Sequence, residues 1–436
     1  MMDTCVWTLC LLLVIVAGVA AAAEAPGLVM VTHGPPAVTV PATSTDNQPV
    51  RYGIGFPMQV GPTTAALLCN LRTIGEGRGD HEDGTDAFLF DDVRAVAQGG
   101  PVVLSRNERE RDDGAGRPRI IIKFPLTGGF WPLGAKRADG SAHPGAGRGF
   151  AFCQALSFED QGGGLFTWAE VFRPYVEVVH LAFDGRTLEV ARRELRRDAG
   201  LWQTDDHWAI TAPGLLMAIP DGDDLLLALT AARDGVSSSG VCRFRFAGGE
   251  WHPATFTPVD PGSEPSLVRA ADGTLVFGVR GYGGEANSLQ AWHSTDGGRL
   301  WEHTLQFPDM RTEAPVSLHA TADGTVFIAT NVLGTVRNRL VMWELRESFT
   351  QLGPPRLVRD GLEEFGPAPA KTTWGIDHPS SATVRLGDGD WHSVMAYRLL
   401  SYRSSGAIPE PLTLQTGCYL EEMLSAGPPL APWRFD

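Results

Sequence analysis

Three Asp-Gly dipeptides recur at a fixed interval of 51 residues: Asp221-Gly222, Asp272-Gly273 and Asp323-Gly324. Each sits between two short β-rich runs, namely Gly214–Ile219 with Asp224–Thr230, Ser266–Arg269 with Thr274–Val279, and Val316–Ala320 with Thr325–Thr330. Glycine accepts the positive φ of a tight turn, so Asp-Gly between apolar runs predicts a β-hairpin. A fourth copy, Asp388-Gly389, lies between Ser381–Leu386 and Trp391–Tyr397, 65 residues after the third. The surplus fits an insertion around Gly361–Pro369.

Further strands follow each hairpin, at Leu289–His293 and at Arg339–Leu345. Four strands in a unit of about 50 residues describe one blade of a propeller. The expected fold is therefore all-β, a six-bladed β-propeller of four-stranded antiparallel blades. A β-helix would need shorter rungs, and a sandwich would not repeat its hairpin at a constant interval. The 51 Gly and 31 Pro supply turns throughout, and 12 Trp need broad faces to pack between. Helical periodicity is scarce. Val190–Arg197 is the one short candidate helix, although Asp184-Gly185 before it also reads as a hairpin. In the less regular N-terminal third, Ala87–Phe90 and Arg119–Phe124 read as strands, and Gly128–Gly149 as a long surface loop.

Leu9–Val19 is apolar, and Ala20–Ala23 offers small residues for cleavage before Glu24. Residues 1–23 read as a signal peptide and 24–436 as one domain. Met1–Thr4 lacks Lys and Arg, which keeps a retained N-terminal anchor as the alternative. The chain is thus expected to be secreted or extracytoplasmic and monomeric, with no membrane insertion beyond that segment. Its net charge of −15 argues against nucleic acid as a partner. After cleavage four cysteines remain: Cys69, Cys153, Cys242 and Cys418. They allow two disulfides in three connectivities, or four buried thiols. No C-x-x-C, EF-hand or phosphate-loop spacing occurs, so no metal or cofactor is expected. The acidic stretch Asp80-His81-Glu82-Asp83, with Asp86 and Asp91-Asp92, reads as a solvated loop.

Ser294-Thr295-Asp296-Gly297-Gly298-Arg299-Leu300-Trp301 follows the pattern S-x-D-x-G-x-x-W. Short Ser and Asp side chains can accept from the unpaired N–H groups of a turn. Gly298 supplies unusual backbone angles, and Trp301 packs between sheets. This segment, with Ser294, Asp296, Gly298 and Trp301 as its structural residues, resembles the Asp-box of the sialidase (neuraminidase) superfamily. Glu264-Pro265-Ser266 and His378-Pro379-Ser380 also resemble blade starts in such proteins. The resemblance covers about residues 200–425. It implies that the Asp-box lies on the face away from an active site. It also implies an arginine trio for a substrate carboxylate, a Tyr–Glu nucleophile pair and an Asp acid/base.

Aligning the repeats on Asp-Gly places Arg233, Arg280 and Arg398 near the ends of second strands, with Asn331 in the third repeat. Guanidinium forks hold carboxylates in two-point contacts, so these arginines and His378 are the candidate substrate-binding residues. Glu264 precedes a first strand, Asp205 lies in the polar-aromatic cluster Trp202–Trp208, and Tyr397 adjoins Arg398. These three are the candidate catalytic residues. Tyr397 and Arg398 point to opposite sides of a strand unless a bulge intervenes. The expected partner is a glycan and the expected activity that of an exo-glycosidase on acidic glycans. The alternative is a non-catalytic propeller that binds glycan or protein.

Overall fold

The computed structural model describes residues 42–43, 49–73, 82–99, 101–110, 118–159, 173–197, 202–280, 289–307, 315–331, 337–365, 372–403, 417–423 and 427–435. The expected signal segment lies outside them. Six antiparallel sheets follow one another along the chain. Blade I holds β1 (Ala42–Thr43), β2 (Pro49–Gln59), β3 (Ala65–Thr73), β4 (Glu82–Phe90) and β5 (Val102–Arg106). Blade II holds β6 (Glu108–Glu110), β7 (Arg119–Lys123), β8 (Thr127–Trp131), β9 (Arg148–Glu159), β10 (Arg173–Phe183) and β11 (Leu188–Arg197). Blade III holds β12 (Ala209–Pro213), β13 (Ile219–Asp221), β14 (Asp224–Arg233), β15 (Val236–Ala247) and β16 (Glu250–Asp260). Blade IV is β17 (Ser263–Arg269), β18 (Leu275–Arg280), β19 (Leu289–Ser294) and β20 (Glu302–Phe307). Blade V is β21 (Ser317–Ala320), β22 (Val326–Asn331), β23 (Arg339–Arg346) and β24 (Gln351–Asp360). Blade VI is β25 (Thr372–Arg385), β26 (Trp391–Arg403) and β27 (Gly417–Met423). Together they form a six-bladed β-propeller. Only blades IV and V keep the plain four-strand count. In blades II and III the inner strand is broken into two pieces, which raises the count there.

All four Asp-Gly dipeptides join the first and second strands of their blades, with φ of 64°, 89°, 78° and 87° at Gly222, Gly273, Gly324 and Gly389. They therefore share one face of the ring, here called the lower face. Three expectations change. Val190–Arg197 belongs to strand β11, paired with β10 after the turn at Gly185. Its run of Arg and Glu fits an exposed outer strand, where Arg192 and Arg196 both reach Glu194 on the same side. The segment 128–149 is no surface loop either. It starts in β8, and its buried His143 stacks on Trp131 and lies parallel to Trp251, with ring centroids 3.8 and 5.6 Å away. The acidic stretch is likewise folded where it is described. Asp86 is buried, accepts a hydrogen bond from Tyr52 at 2.8 Å and pairs with Arg106.

An apolar cluster fills each of the six seams between neighbouring blades. The seam between blades VI and I closes the ring. There Tyr52, Leu67, Cys69 and Phe88 pack on Val384, Val394, Ala396 and Cys418. Burying a side chain of this size contributes about 1.5–3 kcal/mol.

Near the axis the inner strands are tied to one another by hydrogen bonds. Leu133 donates to Val60 O at 2.8 Å, and Ala218 to Gly128 O at 2.7 Å. Leu215 donates to Pro265 O at 2.8 Å. Leu318 N donates to Ser266 Oγ at 2.9 Å, and Ser317 Oγ to Pro379 O at 3.0 Å. Gln59 completes the circle, since its side chain accepts from Arg385 N and donates to Arg385 O. His319 lies within this belt, fully buried between Ser317 Oγ and Ser381 Oγ, each 2.8 Å away. Burial lowers its pKa to about 3.

Two predictions follow from this belt and its hairpins. Unfolded His319 binds a proton below about pH 6.5, whereas the folded ring refuses it down to about 3. Stability should therefore fall as pH drops through that window. Urea midpoints measured between pH 7 and 4 should slope less steeply in His319→Gln. A second comparison separates backbone strain from contact. A Cβ on Gly273 meets nothing within 4 Å, whereas one on Gly324 would fall 2.6 Å from the backbone N of Ala271 in the next blade. Gly273→Ala should cost about 1–2 kcal/mol from the left-handed backbone. Gly324→Ala should cost distinctly more in the same denaturant titration.

Candidate functional site

The upper face carries the starts of the inner strands and the ends of the second strands. Two inner strands break register there, β17 between Ser263 and Ser266 and β25 between Asp377 and Ser380. At each break one residue adopts a left-handed backbone. Glu264 and His378 both have φ of 51°, and both precede a proline. A residue before proline ordinarily stays extended, and positive φ is uncommon outside glycine. Bulges of this kind re-aim a side chain and gather at functional sites.

Each re-aimed residue belongs to a cluster that includes arginine. Glu264 accepts from Arg280 Nη1 at 2.9 Å, and the pair is partly exposed. In blade VI, Asp377 is completely buried and gathers three partners. Arg398 Nε donates to its Oδ1, and Arg398 Nη2 to Oδ2 at 3.1 Å. Arg337 Nη1 donates to Oδ2 at 2.7 Å, and His378 Nδ1 lies 2.9 Å from Oδ1. Burial works against the Asp377 charge, yet His378 and Arg337 hold its pKa below the usual carboxylate value. With two guanidinium groups against one carboxylate, the cluster is locally cationic within an acidic protein. The Asp377 contact engages Nδ1 of the half-buried His378 and so orients its ring, as a carboxylate orients a catalytic imidazole.

Other candidate residues lie elsewhere. Asp205 is exposed, and its backbone N donates to Ala254 O in β16, the outermost strand of blade III, at 3.0 Å. Arg233 reaches the same loop, stacking 4.5 Å over Trp208 and donating to Asp206 O at 3.3 Å. That loop is a staple of its own. Thr204 Oγ1 donates to Asp206 and accepts from Trp208 N, with His207 at φ 65°. Tyr397 is fully buried, and points away from Arg398 as strand alternation requires. Its hydroxyl donates to Glu421 at 2.7 Å and accepts from Arg359 at 3.0 Å, while its ring stacks on Tyr419. Burial, then Glu421, pushes its pKa well up. Of the three second-strand arginines, then, Arg280 and Arg398 stand beside the bulged residues, and Arg233 clasps a different loop.

The turn Ser294–Trp301 lies on the lower face, opposite these groups. Ser294 Oγ accepts from Gly298 N at 2.9 Å, and Asp296 Oδ1 accepts from Arg299 and Leu300 at 3.0 Å. Trp301 Nε1 donates back to Gly298 O at 3.1 Å, and its ring packs near Phe277. The lower face also holds a cavity of about 320 Å³ lined by Met58, Phe130, Leu216, Leu267 and Trp433. Segment 427–435 lies along it, with Leu430 N bonded to Ala322 O at 2.5 Å. Its lining is apolar apart from groups such as Arg269, already paired with Asp221. Chemistry is concentrated on the upper face.

Arg337 and the partnership of Asp377 with Arg398 escaped the sequence reading. Arg337 follows no repeat, and only the fold brings it to Asp377, 40 positions away. The two X-Pro-Ser tripeptides were the available signal. A further buried set, Lys123 held by Glu177 and Glu108 at 2.5 Å each, likewise had no sequence mark.

The chain resembles known structures in this arrangement of blades. The fold is that of a sialidase-like β-propeller. It superposes on the leech intramolecular trans-sialidase with a TM-score of 0.53 and 12% identity, over 91% of this chain and 70% of that one. The intramolecular trans-sialidase from Ruminococcus gnavus gives 0.50 at 11% identity, covering 89% and 96%. A protein of unknown function from Dyadobacter fermentans gives 0.50 at 12% identity, covering 92% and 99%. No family model matches the sequence, and no curated protein matches it. At such identities the likeness is one of fold, and fold leaves the chemistry to be argued at the site.

Replacing Asp377 by Asn would leave Arg398 buried without its counter-charge. Breaking a buried pair in this way costs about 3–5 kcal/mol, so Asp377→Asn should lower the urea midpoint sharply at pH 7. The native carboxyl titrates below its unfolded value of about 3.9. Its contribution is therefore present above that pH and is lost as pH falls through the lower native value. Asp377→Asn should lack this part of the acid dependence.

Proposed function

We propose that this protein is an exported, monomeric sialidase-like glycosidase that takes a terminal acidic sugar into its upper face. One observation carries the reading: Glu264 and His378, two blades apart, both occupy strained left-handed backbone, Glu264 paired with Arg280 and His378 with the Asp377 that Arg337 and Arg398 hold. Strain of about 1–3 kcal/mol persists where the surrounding structure fixes it, and it clusters at sites of chemistry. The apolar segment Leu9–Val19 followed by four alanines supports export.

In this reading Arg280 and Arg337, each partly exposed, receive the substrate carboxylate. Arg398, buried behind them, fixes Asp377. His378, oriented by Asp377 through Nδ1, moves the proton of the leaving group at Nε2. Glu264 sets a carboxylate against the positive charge that develops on the sugar ring. Asp205, Arg233 and Tyr397 take no part in this proposal, because their partners hold them in other places. The buried Tyr397 hydroxyl also favours a second reading. With no exposed Tyr–Glu pair among the described residues, the upper face would bind an acidic glycan without cleaving it.

Purified protein assayed on a fluorogenic sialoside separates the two. Turnover is expected. Arg280→Ala should raise KM roughly tenfold or more, the worth of one charge-assisted contact. His378→Ala should lower kcat about 10²–10⁴-fold. Glycan binding without turnover would favour the second reading, and neither binding nor turnover across an acidic-glycan panel would reject both.

A further inference from the structure

The four described cysteines are all buried thiols, yet they are not equivalent. Cys153 lies in the seam between blades I and II, and Cys242 in the seam between blades II and III. Cys69 and Cys418 share one seam, where blade VI meets blade I. Gly55 faces Cys69 across the strand pair β2–β3. A Cβ built on Gly55 would fall 2.5 Å from Cys418 Sγ and 3.2 Å from Ala396 Cβ. The absent side chain is what admits the Cys418 sulfur to the place beside Cys69. Ala65 and Ala396, both completely buried in this seam, let the two sheets approach closely there.

We propose that Cys69 and Cys418 are joined by a disulfide in the mature protein, closing the propeller covalently between its first and last blades. Face-packed β-sheets carry bridges of this kind in immunoglobulin domains. Burial above all, and then the neighbouring Cys418 thiol, push the Cys69 thiol well up. Thiolate is the attacking species, so the bond forms as the chain folds, before the seam shuts. With oxidised glutathione as oxidant, the Cys69 thiolate attacks one glutathione sulfur and releases the first glutathione thiolate. The Cys418 thiolate then attacks Cys69 Sγ and releases the second. Two protons pass to solvent, and one protein disulfide replaces one glutathione disulfide. The loop closed is roughly 350 residues long, which confines the unfolded chain strongly.

The test uses purified, reduced full chain, so it does not depend on export or on any glycosidase activity. The chain is unfolded and refolded in a buffer of oxidised and reduced glutathione, then digested without reduction for mass spectrometry. The expected result is one peptide pair linking Cys69 to Cys418, with two thiols left to titrate in denaturant. The thermal midpoint should exceed that of the reduced form by on the order of 5 °C. The double variant Cys153→Ala/Cys242→Ala should still form the link, and Cys418→Ser should form none. Should the serine variant not fold, the double variant decides alone. Four titratable thiols after oxidative refolding would overturn the proposal, as would a link that uses Cys153 or Cys242.

Discussion

A strand at the centre of a propeller has a neighbour on one side only. Its other edge faces the axis, where an unpaired N–H or C=O would be buried at a cost of about 1–3 kcal/mol each. This chain meets the constraint with a belt of hydrogen bonds running from each inner strand to the next. In three places the belt is backbone to backbone, from Leu133 to Val60, Ala218 to Gly128 and Leu215 to Pro265. Elsewhere a short side chain bridges the gap, as Ser266 and Ser317 do. At the closing seam the gap needs a longer reach. Gln59 spans it with both ends of its amide on Arg385, although 326 positions separate the two residues. The apolar seams drive the blades together, and the belt sets the register at which they stop.

The belt also explains how the site keeps its strain. Glu264 and His378 each precede a proline whose carbonyl belongs to the belt: Pro265 O takes Leu215 N, and Pro379 O takes Ser317 Oγ. Proline has no N–H to offer the broken ladder, so its carbonyl is the anchor left at that position. With both carbonyls held by the neighbouring blade, the residue before each proline is fixed in its left-handed turn. The following serine helps in blade IV, where Ser266 Oγ receives Leu318 N. The upper face is thus pre-shaped by bonds made just beneath it, and ligand binding need not supply that strain.

What could be read from sequence is what the chain decides locally. The Asp-Gly hairpins and the Ser294–Trp301 turn depend on residues within eight positions of one another, and they form in the expected places. Val190–Arg197 misled because its Arg and Glu residues favour a helix in isolation, whereas pairing with β10 leaves them on an exposed outer strand. The Trp202–Trp208 cluster had the composition of a sugar site. Its aromatic rings instead fill the seam between blades II and III, and its Thr204 and Asp206 close a turn. Tyr397 was read from its neighbour Arg398, yet alternation along β26 sends the two to opposite sides of the sheet. The Asp377 cluster was legible only in part, because His378 is adjacent, whereas Arg398 comes from β26 and Arg337 from the segment before β23. Such contacts are made by the closed ring, and no local pattern encodes them.

Charge gives the site a particular setting. The chain carries 51 acidic and 36 basic side chains, so an acidic glycan is repelled at long range. Around Asp377 the balance reverses, with Arg337 and Arg398 set against one carboxylate. Long-range repulsion is screened within a Debye length of about 8 Å at physiological salt, whereas a direct guanidinium–carboxylate contact in a partly buried pocket is screened far less. In the proposed reading the surface potential limits how fast an anion arrives, and the short-range arginines govern how well it stays. Such a division favours ligands that can place a carboxylate directly on Arg280 or Arg337 over anions that merely approach the rim.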